Sequence, residues 1–346
     1  MTMVDGPTCS NLAKSSPLPG LADSFGRTIS YVRISVTDRC DLRCRYCMAE
    51  QMQFLPRRNI LSLEEITQLV DIFIARGVRR VRLTGGEPLV RRGILDLAAQ
   101  IGLRIGSGLE ELTMTTNATQ LAKFATGLYD AGIRRLNVSL DSLRPDRFAH
   151  VTRGGNLEQV LSGIESARRA GLAIKINMVA LAGINEDEIA DMLRWCAGAG
   201  FDLTLIETMP LGAVEEDRTE HYLPLDRVKR DLERSFDLAP SLQRTGGPAR
   251  YYEVAGLGIR LGLITPLSRN FCDACNRIRI AATGTVYGCL GHDQKVELRQ
   301  ALRDSGAASV NALLDELLAG KPRRHDFRIG PEVEPAVARH MSVTGG

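Results

Sequence analysis

From Ile29 onward two hydrophobic patterns alternate along the chain. Short β-type runs lie at 31–36 (YVRISV), 78–84 (VRRVRLT), 111–117 (ELTMTTN), 133–139 (IRRLNVS), 172–179 (LAIKINMV) and 201–207 (FDLTLIE). The intervals between them carry the period of amphipathic helices. The first helix is the best marked: Ser62 and Glu65 stand in capping-box positions, Ile66, Leu69, Val70 and Phe73 fall on one stripe, and Gly77 stops it. Asn185 and Glu188 repeat the capping arrangement ahead of Ile189, Leu193 and Trp195.

Regular strand–helix alternation means parallel pairing with right-handed crossovers, in an open doubly wound sheet or a barrel. Unusual residues recur at strand ends: Cys40, Cys44 and Cys47, then Gly85 and Gly86, Thr115, Ser139 and Met209. That placement suits a site built on the C-terminal face of an incomplete (β/α)6 TIM-type barrel. After about residue 220 the pattern changes to a helix over 225–236, short strands around Tyr251, Ile259, Arg277 and Val286, and helices to about 320. The expected division is a flexible N-terminal arm at 1–26, a partial barrel at 27–220, and a C-terminal α+β region at 221–346.

Composition adds exclusions. Among 346 residues, 44% are hydrophobic and 25% charged, as in a globular protein. Forty-four Lys and Arg against 41 Asp and Glu leave a net charge of +3, too little for a nucleic-acid wrapper, so an anionic partner must meet a local basic site. No apolar stretch approaches the roughly 20 residues of a membrane span, and the N-terminus lacks a signal peptide's apolar core. The expected location is the cytoplasm, with no membrane or nucleic-acid partner.

Of eight cysteines, only Cys9 and Cys196 stand alone. Cys40-x3-Cys44-x2-Cys47 follows a strand, and thiolates so spaced can hold three corners of a cubane iron–sulfur cluster, leaving one iron open to an exchangeable ligand. A zinc knuckle with a distant fourth ligand is the competing explanation. The triplet is similar to that of the radical S-adenosylmethionine superfamily, and Tyr46 sits at its aromatic position. Gly85-Gly86-Glu87-Pro88 resembles that superfamily's glycine-rich motif. Physically, two glycines let the backbone approach a ligand closely. The resemblance implies that a [4Fe–4S] cluster chelates S-adenosylmethionine and reduces it to release a 5′-deoxyadenosyl radical.

Cys272-x2-Cys275-x13-Cys289 again offers three ligands, with zinc completed by His292 as the competing explanation. Together with Asn276, Arg277 and Arg279 it resembles one family, GTP 3′,8-cyclase of molybdenum cofactor biosynthesis, from about Phe25 to Gly346. TTNA, NVSLDSL, KIN, ETMP and the terminal MSVTGG agree. Asp41, Ala49 and Thr344 depart from the usual Asn, Pro and aliphatic residue.

A nucleoside triphosphate needs several cations converging from separate strands, and Arg33, Arg82, Lys175, Arg277 and Arg279 all lie on β-type runs. The resemblance implies that Arg33, Arg82, Thr115, Lys175 and the strand of Arg277, Ile278 and Arg279 hold GTP, with guanine at the open iron of a second [4Fe–4S] cluster. It further implies that Tyr46, Gly86, Ser139 and Met209 meet S-adenosylmethionine, Met209 otherwise being core packing, and that Gly345 and Gly346 enter the active site. Hydrogen abstraction from ribose C3′, attack on guanine C8 and reduction are the implied steps. An external one-electron reductant, cyclic pyranopterin monophosphate synthase as next enzyme, and a homodimer are the implied partners. Two other readings stand beside this one: a radical enzyme acting on a peptide with an auxiliary cluster, and a zinc-bound nucleotide- or RNA-binding protein.

Overall fold

A computed structural model describes residues 19–212, 219–330 and 333–345. The six β-type runs form β1 (Tyr31–Ser35), β2 (Arg80–Thr84), β3 (Glu111–Thr116), β4 (Arg135–Ser139), β5 (Ala173–Ala180) and β6 (Asp202–Glu207), parallel and paired in chain order. Between them run α1 (Leu63–Ala75), α2 (Ile94–Gly102), α3 (Leu121–Asp130), α4 (Pro145–Thr152), α5 (Leu157–Arg169) and α6 (Ile189–Ala199). Sequential parallel neighbours are the order of a barrel, whereas a doubly wound sheet reverses its order at a switch point.

Period-two alternation sets the two faces of this sheet. Val32, Ile34, Val81, Leu83, Leu112, Met114, Leu136 and Val138 are buried in one core with Ile66, Leu69, Phe73, Leu97, Leu121 and Val160 of the surrounding helices. The residues between them (Arg33, Arg82, Thr113, Asn137) turn to the other face, which is therefore polar. Cys196, one of the two lone cysteines, is fully buried in α6 and belongs to the core.

Helix α1 has both halves of its capping box, Ser62 Oγ accepting from Glu65 N–H and the Glu65 carboxylate accepting from Ser62 N–H, and all four stripe residues are buried. The second expected capping box does not form. Asn185 is fully buried and turned back into the loop, donating to the Asp141 and Val179 carbonyls and accepting from Leu181 N–H. Glu188 instead accepts from Ser142 Oγ at 2.7 Å and pairs with Arg147 at 2.8 Å. Tertiary partners outweigh the local cap.

The C-terminal region contributes α7 (Leu225–Leu232), β7 (Leu238–Pro240), β8 (Arg250–Val254), β9 (Ile259–Ile264), β10 (Arg277–Ile280), β11 (Thr285–Tyr287), β12 (Lys295–Glu297), α8 (Leu298–Ala319, broken at Gly306) and α9 (Met341–Thr344). Helix α7 is shorter than the expected 225–236 because the chain turns into β7. The region makes no sheet of its own. Strand β9 joins β6 in parallel and β10 joins β1 in parallel, with β8 and β7 beyond one edge and β11 and β12 beyond the other. The open barrel thus gains a parallel strand at each edge.

Of the expected arm, residues 1–18, Cys9 among them, lie outside the described residues. Within residues 19–26 two side chains are anchored, Leu21 being fully buried and Asp23 pairing with Arg27 at 2.6 Å, while the others, Phe25 among them, are exposed. Arg27 also donates to the carbonyls of Cys272, Pro322 and Arg323, tying the chain's beginning to the second cysteine triplet.

Candidate active site

Two cavities lie within the curved sheet, one above the other. The upper is lined by Cys40, Cys44 and Cys47 with Tyr46, Gly86, Ser139 and Met209. The lower is lined by Cys272, Cys275 and Cys289 with Arg33, Arg82, Lys175, Arg277 and Arg279. Arg82 lines the lower and Thr84 the upper; Asn137 lines the lower and Ser139 the upper. Two residues along a strand span about 7 Å, so the cavities are neighbours along the barrel axis. Asn177, Ile206, Met209 and Met341 line both and mark the junction.

The loop bearing the first triplet is pinned from several directions. At Gly85 and Gly86 an added Cβ would lie 2.5 Å from the Thr37 carbonyl oxygen and 2.3 Å from that of Arg39. Gly86 N–H donates to Thr37 O and Glu87 N–H to Arg39 O at 2.9 and 2.8 Å. The close approach these glycines permit is therefore first to the cysteine loop, not only to a ligand. Glu87, fully buried, accepts from Leu89 N–H, Thr116 Oγ1 and Asn117 N–H, fastening the same turn to the end of β3. Burial pushes its carboxyl up to about 7, Asp41 adding to the effect against those three donors. Asp41, the departure from the usual Asn, accepts from Asn117 Nδ2 at 2.8 Å and Thr119 Oγ1 at 2.6 Å. Tyr46 Oη donates to Asp141 Oδ2 at 2.7 Å, and Val179 N–H donates to Asp141 Oδ1 at 2.8 Å. Burial raises Asp141 to about 6.

The donor sets fit iron–sulfur clusters. All three cysteines of each triplet line one cavity. A cubane accommodates such spacing because each thiolate meets a different iron. Burial pushes Cys40 up to about 12 and raises Cys44 well above the usual thiol range. Cys275 differs: burial raises it, but Arg277 and Lys321 outweigh burial and bring it down to about 7. Lys321, which no motif marked, is buried with Nζ 3.8 Å from Cys275 Sγ. His292, the fourth ligand of the zinc reading, donates from Nε2 to the Arg324 carbonyl at 2.9 Å and is absent from the cavity wall.

The cations of the lower cavity come from four strands and are all buried. None of Arg33, Arg82, Lys175, Arg277 and Arg279 makes an ion pair among the described residues; Lys175 Nζ donates to Tyr251 Oη, and Arg82 Nε to Thr113 Oγ1. Nε of Arg33, Arg277 and Arg279 is buried without a partner among the described residues. Burial, then Arg279 and Arg82, lowers Arg33 well below its usual range, while burial with Arg277 lowers Arg279 to about 10. Burial followed by Arg82 and Arg135 lowers Lys175. Buried cations so placed lack a counter-anion.

Other expected residues are placed differently. Thr115 lines the upper cavity, away from the cation group, with its Oγ1 buried and unpartnered. The Ile278 side chain points the opposite way from its arginine neighbours, into the core. Gly345 lies against Thr84, where an added Cβ would come within 2.2 Å of Thr84 Cγ2, and Gly346 is outside the described residues. Asn137 and Asn177, which open NVSLDSL and close KIN, were given no role of their own, although strand alternation puts both on the lumen face. Both keep buried amide atoms without partners.

Two family profiles cover most of the chain: the radical SAM superfamily matches residues 34–196, and Molybdenum Cofactor Synthesis C matches residues 201–327. The chain is 57% identical over 329 residues to a GTP 3′,8-cyclase of Rhizobium meliloti (strain 1021), covering 94% of each chain. It is 56% identical over 327 residues to the GTP 3′,8-cyclase of Erythrobacter litoralis (strain HTCC2594), covering 94% of this chain and 98% of the relative. The chain belongs to the GTP 3′,8-cyclase family. Among solved structures, Streptococcus suis SuiB is similar in fold, with a TM-score of 0.57 at 14% identity, covering 86% of this chain and 67% of SuiB. SuiB bound to S-adenosylmethionine gives a TM-score of 0.56 at 15% identity, covering 92% and 78%. As a GTP 3′,8-cyclase family member the chain is a radical S-adenosylmethionine enzyme, whose superfamily uses a [4Fe–4S] cluster with S-adenosylmethionine. Membership decides against the zinc-protein and peptide readings. No helix among the described residues is long and apolar enough to cross a membrane.

Proposed function

We propose that the two stacked cavities divide the conversion of GTP to (8S)-3′,8-cyclo-7,8-dihydroguanosine 5′-triphosphate, an early step of molybdenum cofactor biosynthesis. The observation that carries this is the group of five buried cations, without acidic partners, sharing a cavity with the second cysteine triplet. A triphosphate supplies the missing negative charge, and arginine forks suit its oxygens.

Cys40, Cys44 and Cys47 would hold the cluster of the upper cavity, and Cys272, Cys275 and Cys289 a second [4Fe–4S] cluster in the lower. When bound, the first cluster and S-adenosylmethionine supply the radical chemistry. Tyr46, Gly86, Ser139, Met209 and Thr115 wall the cofactor space; Arg33, Arg82, Lys175, Arg277 and Arg279 hold the triphosphate. Met209, at the junction, meets both spaces, so cofactor and ribose can approach without passing through solvent. Gly345 lies where the tail returns over the end of β2, beside Thr84 of the upper cavity, and the proposed role of the Gly345-Gly346 end is to enter the active site. The reductant is external, and cyclic pyranopterin monophosphate synthase takes the product; a homodimer in the cytoplasm completes the reading.

The test is anaerobic incubation of reconstituted protein with GTP, S-adenosylmethionine and a strong reductant. The expected yield is 5′-deoxyadenosine together with a pterin that fluoresces after oxidation. Zinc without acid-labile sulfide in anaerobically purified protein would overturn the cluster assignment.

A further inference from the structure

His325 also faces the lower cavity. Its Nδ1 accepts from the backbone N–H of Phe327 at 3.4 Å, and its ring stacks on Phe327 with centroids 4.2 Å apart. An acceptor Nδ1 in a neutral imidazole leaves the proton on Nε2. Nε2 is buried and has no hydrogen-bond partner among the described residues. A buried donor left unpaired is costly, so this one is set for a group that arrives with the ligand. It is a donor rather than a metal ligand, since coordination would need the lone pair that the proton occupies.

The lower cavity is lined by two kinds of side chain. Cations from the barrel strands are one kind of lining, and Pro266, Phe271, Leu290, Phe327 and His325 are the other, meeting where the Arg277 guanidinium lies 5.2 Å from the centre of the Phe271 ring. Aromatic and apolar side chains suit the face of a purine, and the His325 N–H is a donor suited to its edge. The ring is held in place: a Cβ at Gly291 would lie 2.6 Å from the Phe327 ring and 2.9 Å from His325 Cβ, so the stack sits directly on the backbone of the Cys289 loop.

Resting on the GTP reading above, we infer that His325 is a specificity-determining residue whose Nε2–H donates to the 6-carbonyl oxygen of the bound purine. Guanine and hypoxanthine offer an acceptor at that position. Adenine presents an amino group there, which would set donor against donor and leave both unpaired. Sites that hydrogen-bond a substrate group reject analogues lacking it far better than apolar sites reject small size differences.

The experiment measures anaerobic equilibrium binding of GTP, ITP, ATP and inorganic tripolyphosphate to protein loaded with both clusters. The wild type should bind GTP and ITP well above ATP. His325→Ala should weaken GTP and ITP by about tenfold or more and leave ATP and tripolyphosphate unchanged. His325→Gln, which keeps an N–H donor, should recover part of the GTP preference. The EPR spectrum of the reduced, nucleotide-free second cluster should be the same in all three proteins. Retention of the GTP-over-ATP ratio by His325→Ala would overturn the inference alone. An equal loss of tripolyphosphate binding, or an altered spectrum, would show that His325 acts through the fold or the cluster and would overturn it too. A wild type binding neither GTP nor tripolyphosphate would instead overturn the parent reading.

Discussion

Arg33 on β1 and Arg279 on β10 are register partners across a parallel strand pair, and Arg82 on β2 continues the row on the far side of Arg33. Like charges side by side in a sheet are destabilising, and burial deepens the cost by removing water. The row is tolerable when an anion lies over it. Binding and stability should therefore respond to these residues in opposite senses.

Replacing Arg279 by Met preserves bulk while removing a charge. GTP affinity should fall about tenfold or more, the loss expected for a charge-assisted contact of roughly 1.5–3 kcal/mol. Nucleotide-free protein should melt at a higher temperature than wild type, and S-adenosylmethionine binding should be unchanged. Parallel titration and thermal melts check this; weaker binding of both ligands with a lower melting temperature would point to misfolding.

The two triplets should fail in different ways. Serine at Cys40, Cys44 or Cys47 should abolish 5′-deoxyadenosine formation. Serine at Cys272, Cys275 or Cys289 should leave some cofactor cleavage but no cyclised nucleotide, because that cavity carries the cations. Quantifying both products by chromatography separates the cases. Full cyclisation by a second-triplet variant would remove that triplet from substrate binding.

At Gly345 φ is +71° and Thr84 occupies the space of a side chain. Gly345→Ala should thus displace the tail, with cyclisation lost while iron and sulfide content stay at wild-type levels. Thr84→Ala in the same protein removes Cγ2 and Oγ1 but leaves the Thr84 Cβ position at 2.8 Å and the positive φ in place, so it should not restore full turnover. Wild-type activity in Gly345→Ala would show that the tail has no part in the reaction.

Glu87 should make stability depend on pH. Its carboxyl is raised from 4.5 to about 7, chiefly by burial, so the folded state binds the proton more tightly than the unfolded state. That contribution is fully present below pH 4.5 and is lost as pH rises through 7. Between pH 6 and 8 wild type should lose about 1 kcal/mol that Glu87→Gln does not lose. Denaturant midpoints for both proteins at the two pH values test it; parallel pH profiles would exclude Glu87 as the source.

Much of the architecture was legible in local pattern. Six strands and the capping box at Ser62 follow from side-chain period and short-range hydrogen bonding, both encoded within a few residues. The cysteine triplets were legible because their spacing is itself the chemistry. Alternation also carried more than motif reading extracted, since Asn137 and Asn177 face the lumen by the same rule as Arg33. The second capping box was misread because Asn185 and Glu188 are satisfied by Asp141, Val179, Ser142 and Arg147, partners that the local sequence does not reveal.

By itself, then, the sequence determined the alternation of elements, the polar lumen and the spacing of the two cysteine triplets, all properties of residues near one another in the chain. Only the tertiary structure decided that β9 and β10 extend opposite edges of the one sheet and bring Arg279 beside Arg33. It alone decided that Glu87, Lys321 and His325 stand next to the cysteines. The physical reason is that long-range strand pairing and burial create these neighbours, and with them the missing counter-charge and the unpaired donor, which no local pattern contains.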